Sequence, residues 1–209
     1  MTIDTIISRL KEIYPPGKFT SSDPFRCLIS TVLSQRTRDR VTYSATDKLF
    51  SIYGTPSELA RAETGDIEEL IRETGFYHMK APRIKDIARI IQDEYKGKVP
   101  DDMDTLLTLP GVGRKTANCV LAYGFGQDAI AVDTHVHRIS NRLGLTSTKT
   151  PEDTEKQLYL TIPKKHWKYI NEFLVRFGQD ICRPVGPKCH ACPLVDLCPP
   201  GAARTENSK

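Results

Sequence analysis

Apolar residues in this chain recur with the period of an α-helix and almost nowhere with that of a strand. Ile3, Ile6, Ile7 and Leu10 fall at i, i+3, i+4 and i+7, as do Ile84, Ile87, Ala88 and Ile91. Trp167, Ile170, Leu174 and Phe177 make a third stripe. Turn-forming residues punctuate these segments: Pro15-Pro16-Gly17, Asp23-Pro24, Gly54-Thr55-Pro56, Thr74-Gly75, Gly97 to Pro100 and Gly124 to Gly126. Val99 and Ile130-Ala131-Val132 are too short to build a sheet. The pattern predicts an all-α protein of about ten or more helices joined by short loops. There is no internal repeat and no low-complexity tract. The last ten residues, with Gly201, Asn207 and Ser208, are expected to fray.

A chain of 209 residues has room for one domain or two small ones. With 39% hydrophobic and 27% charged residues it has the balance of an ordinary soluble protein, not of a disordered one. No apolar stretch approaches the roughly 18 residues that a membrane span needs. Asp4, Arg9, Lys11 and Glu12 interrupt the apolar N-terminal pattern, which excludes a signal peptide, so an intracellular protein is expected. The net charge is +4, too mild to define a partner. Its placement says more: residues 160–209 carry eight Lys/Arg against four Asp/Glu, which is the whole excess. That quarter is either a basic binding face or a solvated tail.

The six cysteines are unevenly spread. Cys27 and Cys119 sit alone in apolar helical contexts and read as core residues. Cys182, Cys189, Cys192 and Cys198 form a C-x6-C-x2-C-x5-C run. In an intracellular chain such a cluster points to metal rather than disulfides. Structural zinc usually takes two close pairs, and only Cys189 and Cys192 form one. The ferredoxin spacing does not match either. Spacing therefore leaves zinc and an iron–sulfur cluster both open, with His190 as a conceivable alternative ligand.

Two further motifs carry chemistry. Leu109-Pro110-Gly111-Val112-Gly113-Arg114-Lys115-Thr116-Ala117 joins a short helix near Met103 to Leu107 to a longer one with Ala117, Val120 and Leu121 on one face. Pro and two glycines make a tight turn that a ligand's backbone can approach, and the following helix N-terminus offers N–H groups suited to phosphate. This is a helix-hairpin-helix pattern, fit for sequence-independent contact with a DNA backbone, unless it is a plain helix connection. Lys115 falls in the first turn of the second helix. The helix dipole and burial would both favour its neutral amine, as a nucleophile requires; the alternative is an exposed lysine contacting phosphate. In Val132-Asp133-Thr134-His135-Val136-His137-Arg138, Asp133 reads as an N-cap, and a carboxylate so placed also suits a developing positive charge. His135 and His137 point to different helix faces, a poor arrangement for joint metal binding.

Taken together, these segments resemble the endonuclease III family of base-excision DNA glycosylases. The resemblance runs over nearly the whole chain. It is carried by the hairpin 109–117, by Val132-Asp133-Thr134-His135 with Asp133 eighteen residues after Lys115, and by the C-x6-C-x2-C-x5-C ending. It implies a two-lobed helix-hairpin-helix glycosylase fold. Residues 22–130 would form a six-helix barrel lobe. Residues 1–21 and 131–209 would form an iron–sulfur lobe, with a DNA cleft between the two. It also implies a 4Fe–4S cluster on Cys182, Cys189, Cys192 and Cys198, structural or DNA-positioning rather than a hydrolytic Lewis acid. By the same resemblance, a damaged base flips out of double-stranded DNA. Lys115 attacks the sugar C1′ and forms a Schiff base, elimination nicks the strand, and Asp133 stabilises the cationic sugar. Gly111, Gly113 and Arg114 would face phosphate, and Arg183 and Lys188 would present charge to DNA. The expected protein is a monomeric bifunctional DNA glycosylase/AP lyase of oxidised pyrimidines, cytoplasmic and nucleoid-associated.

Two departures bear on specificity. In Leu33-Ser34-Gln35-Arg36-Thr37-Arg38-Asp39 the family often has Gln where Arg36 falls, so either Gln35 or Arg36 fills the gap left by the flipped base. The wedge position, often Leu, is Phe76, which either stacks in the duplex or belongs to the core. Two rivals remain. One is a monofunctional mismatch glycosylase acting on adenine or thymine, a class that generally lacks the catalytic lysine. The other is a non-catalytic DNA-binding module built on zinc.

Overall fold

The computed structural model describes residues 3–15 and 23–206. They form twelve α-helices, three 3-10 turns and one π-helical turn, with no strand among the described residues. Pro16, Gly17, Ser22, Asn207 and Ser208, which carry a breaker, a boundary and part of the tail considered above, lie outside the described residues. The chain divides into two compact units, Phe19–Gln127, and Met1–Lys18 with Asp128–Lys209.

The unit Phe19–Gln127 is built from α2 (Pro24–Ser34), α3 (Asp39–Phe50), α4 (Pro56–Arg61), α5 (Thr64–Ile71), α6 (Tyr77–Glu94), α7 (Met103–Thr108) and α8 (Arg114–Cys119). The last runs on as a π-turn over Val120–Gly124. Short polar residues start these helices where the breakers predict. Asp23 Oδ1 accepts from Phe25 N at 3.0 Å ahead of Pro24. Thr55 and Glu58 form a reciprocal capping box, and Asp102 accepts from Thr105 N at 2.8 Å. The long helix α6 buries Ile84, Ile87, Ala88 and Ile91, as its periodicity requires. It packs against α2, α4 and α5, and α2 packs in turn on α3, α8 and the π-turn.

The other unit contains α1 (Ile3–Ile13), α9 (Thr134–Arg142), α10 (Pro151–Thr161), α11 (Trp167–Asp180) and α12 (Pro199–Glu206). The N-terminal helix buries Ile3, Ile6, Ile7 and Leu10 in a core shared with Val136, Ile139, Phe173 and Phe177. Burying such side chains is worth about 1.5–3 kcal/mol each before entropy, so this stripe is what holds α1 to the C-terminal segment. The exposed pair Arg9–Asp196 at 2.6 Å and the contacts of Asp4 with Lys165 and His166 fix its orientation and add little by comparison. One expectation is corrected. Residues 199–206 are helical rather than frayed, because Pro199 and Pro200 preset the first turn and Cys198 O accepts from Gly201 N and Ala202 N at 2.9 and 3.0 Å.

Candidate functional site

The hairpin 109–113 joins α7 to α8 through bonds from Val112 N to Leu109 O at 3.1 Å and from Ala117 N to Gly113 O at 2.9 Å. Gly111 has φ +71, so the backbone demands glycine; a Cβ there would lie 2.5 Å from Arg83 Cδ and would push that flexible side chain aside. Gly113 is the N-cap of α8, exposed, with nothing within 4 Å of an added Cβ. Arg114 is exposed and Lys115 half-buried, in the first turn of α8 at the positive end of the helix. The following residues Thr116 to Leu121 are buried and anchor this turn. Cys27 and Cys119 are core residues, and Cys27 Sγ lies 3.7 Å from Cys119 O. Burial, then Cys119, push the Cys27 thiol up to about 12, a rise the nearby Lys115 charge opposes. Cys27 therefore stays a neutral thiol.

Gln35, Arg36 and Phe76 cluster at two turns of the same unit. Arg36 and Phe76 both lie in the left-handed region, at φ 54 and 60. Neither is glycine, and each such conformation costs on the order of 1–3 kcal/mol that surrounding contacts must offset. The Arg36 guanidinium sits 5.4 Å from the centre of the Phe76 ring, a cation–π contact. Phe76 is 55% exposed, so of its two readings the core one is corrected: the ring stands at the surface beside Arg36. Gln35 points elsewhere, its Nε2 donating to Gly111 O at 3.1 Å.

Lys80 was not singled out from the sequence. It is 3% exposed, and its Nζ donates to Leu33 O at 2.7 Å and to Thr37 Oγ1 at 2.8 Å. Leu33 lies in the last turn of α2, so the ammonium meets the negative end of that helix. Burial, then the Arg83 charge, lower its pKa to about 8. A signal was present: Lys80 extends the stripe of Ile84, Ile87 and Ile91 back by one turn, placing a charge on an apolar face.

In the other unit Asp133 is the N-cap of α9, its Oδ1 accepting from His135 N and Val136 N at 2.9 and 2.8 Å. Both cap bonds use one oxygen, which leaves Oδ2 outside the cap. His135 and His137 diverge as expected. His135 Nδ1 meets Arg138 at 3.2 Å, and His137 Nδ1 meets Thr154 Oγ1 at 2.6 Å. The helix sits close on α11, where a Cβ at Gly178 would lie 2.4 Å from His135 Nδ1.

Cys182, Cys189, Cys192 and Cys198 are half-buried free thiols that line one pocket, open in part to solvent. No group of three or more His, Cys, Asp or Glu among the described residues forms a single ion's ligand set. His190 is exposed and does not line the pocket. Burial raises the Cys192 thiol to about 11 and raises Cys198, and in each the other cysteines add to the rise. Four thiolates here need a positive centre between them. Two arginines that the sequence did not reveal hold the loop. Arg138 donates to Cys182 O at 2.8 Å, and Arg142 to Arg183 O at 2.7 Å, Pro184 O at 3.0 Å and Cys182 Sγ at 3.4 Å. Arg183 is exposed in that loop, and Lys188 lies 3.5 Å from Asp180.

Residues 29–164 match the model of the HhH-GPD superfamily base excision DNA repair protein. The chain is 55% identical over 183 residues to endonuclease III of Thermotoga maritima, covering 88% of this chain and 86% of that protein. The chain belongs to the endonuclease III family. It is an all-helical DNA glycosylase/AP lyase of base excision repair. Among solved structures it resembles a trapped endonuclease III–DNA covalent intermediate, with TM-score 0.88 and 37% identity over 98% of this chain and 99% of that one. It also resembles a thermostable thymine-DNA glycosylase, with TM-score 0.85 and 26% identity over 96% of each chain. No helix among the described residues is long and apolar enough to cross a membrane.

Proposed function

We propose that this chain removes oxidised pyrimidines from double-stranded DNA and nicks the resulting abasic site, with Lys115 as the nucleophile. The observation that carries this reading is a lysine in the first turn of α8, directly after the Gly111–Gly113 hairpin, in a chain so similar to an enzyme trapped covalently on DNA. The neutral Lys115 Nζ attacks C1′ of the damaged nucleotide. The C1′–N bond breaks, and the base leaves with the electron pair and takes up a proton. The ring opens to a Schiff base between Nζ and C1′. Loss of a C2′ proton then expels the 3′ phosphate by β-elimination, and water releases Lys115. A helix N-terminus disfavours the ammonium form, so the placement suits this role. Asp133 stabilises the cationic sugar and assists proton transfer through Oδ2, the oxygen outside the cap.

The hairpin amides at Gly111 and Gly113, with Arg114, hold a phosphate of the backbone. Arg36 fills the gap left by the flipped base, since the Gln35 amide is committed to Gly111 O, and Phe76 is the wedge. Arg183 and Lys188 face the duplex beyond the site. The four cysteines suit a 4Fe–4S cluster: all four line one pocket, and four thiolates are the ligand number such a cluster takes. Such a centre supplies a tether for the 182–198 loop, whose Arg183 side chain it would help place. The protein acts as a monomer in the cytoplasm, on nucleoid DNA.

A duplex with one thymine glycol tests the substrate and the two-step outcome. Free thymine glycol together with a β-elimination nick is the expected result. Base release without a nick would place the chain with monofunctional mismatch glycosylases. No release would remove oxidised pyrimidines as the substrate.

A further inference from the structure

The Lys80 side chain reaches from α6 to the far side of the turn that follows α2. Its Nζ donates to Leu33 O at 2.7 Å and Thr37 Oγ1 at 2.8 Å, so its two bonds bracket Ser34, Gln35 and Arg36. Its own backbone N donates to Phe76 O at 3.0 Å, one helical turn back. One residue thus grips both ends of the turn bearing Arg36 and the carbonyl of Phe76. The two turns are in close contact besides: a Cβ at Gly75 would lie 3.0 Å from Arg36 O. Both residues so held are left-handed and stack on each other. A buried ammonium that touched nothing mobile would be a pure cost, and an aliphatic side chain would serve the core better. Its two acceptors are instead spent on a solvent-facing turn.

We propose that Lys80 is a positioning residue that locks the Arg36 and Phe76 turns into one rigid unit, so that the two side chains enter the duplex together around the flipped nucleotide. This rests on the reading of Arg36 and Phe76 as the DNA-inserting pair. Lys80 touches no DNA; it acts through Arg36 and Phe76.

The test uses the whole protein and a short duplex with a tetrahydrofuran abasic analogue opposite 2-aminopurine. The fluorescence rise on saturation reports unstacking of the orphaned base, and competition with the undamaged duplex reports preference. Both are measured where thermal unfolding shows each variant folded. For Lys80→Met we expect loss of most of the fluorescence rise and about a tenfold loss of preference. Thr37→Val, which keeps the lysine and removes one acceptor, shows a loss of the same sign, about two- to fivefold. In a background carrying both Arg36→Ala and Phe76→Ala, Lys80→Met adds less than about twofold, because its effect passes through those two side chains. A folded Lys80→Met with unchanged signal and preference overturns the proposal, as does full additivity with the Arg36→Ala, Phe76→Ala pair. Should Lys80→Met not fold, Thr37→Val decides by the same readouts, and an unchanged preference there overturns it. Wild type showing no preference for the analogue would instead sink the DNA-insertion reading on which the proposal stands.

Discussion

Asp133 and Lys80 show how one residue can be structural and functional at once, and how substitution separates the roles. Asparagine at Asp133 keeps the oxygen that accepts from His135 N and Val136 N, so Asp133→Asn should preserve the α9 cap while slowing base release by about a hundredfold or more. Asp133→Ala should lose the same activity and in addition about 1 kcal/mol of stability. Thermal unfolding of both variants beside single-turnover base release checks this; equal destabilisation by Asn and Ala would make capping the main role. For Lys80, folding lowers the pKa to about 8 from an ordinary 10.5. Between those values the unfolded chain binds the extra proton, so stability rises with pH there. Wild type should therefore gain stability relative to Lys80→Met as pH climbs from about 8 to about 10.5, and the difference should be flat below. Urea titrations across that range measure it. Periodicity marked Lys80's place on α6 but not its purpose, because its acceptors lie 43 and 47 residues away in sequence. Arg138 and Arg142 were hidden for the same reason: they reach carbonyls about forty residues distant.

Local chemistry wrote the helices legibly. Asp23-Pro24, Thr55-Pro56 and Asp133 begin helices where the sequence says they should, and the apolar stripes are buried apart from Trp167, which is half-buried. The tail departs from its expectation because Gly201 and the polar residues after it predict fraying, whereas the Pro199-Pro200 pair ahead of them starts α12. The spacing between elements was not legible at all. Gly178 looks like an ordinary helix-weakening residue, yet it lets α9 approach α11 until Ile139 Cδ1 and Arg138 Nη2 stand 2.9 Å from the place of a Cβ. Gly178→Ala should cost about 1–3 kcal/mol by overpacking, despite alanine's better helix propensity. Because the shift moves the N-terminus of α9, base release should fall as well. A variant as stable and as active as wild type would show that the contact relaxes freely.

At the scale of the whole molecule, the excess charge of residues 160–209 and the cysteine run share one segment. If the 182–189 loop faces the DNA backbone, Arg183→Ala should lower the salt dependence of duplex binding by about 0.9 in slope, the effect of one lost phosphate contact. An unchanged slope would leave the charge as a solvated tail. The cluster reading predicts brown native protein with about four irons per chain and broad visible absorption. A colourless, zinc-loaded preparation would contradict it. The most direct test of the central claim is borohydride trapping on thymine-glycol duplex by wild type and Lys115→Gln. The account predicts a covalent protein–DNA adduct with wild type and none with the variant. An adduct that persists in Lys115→Gln, or base release by wild type without any adduct, would contradict it.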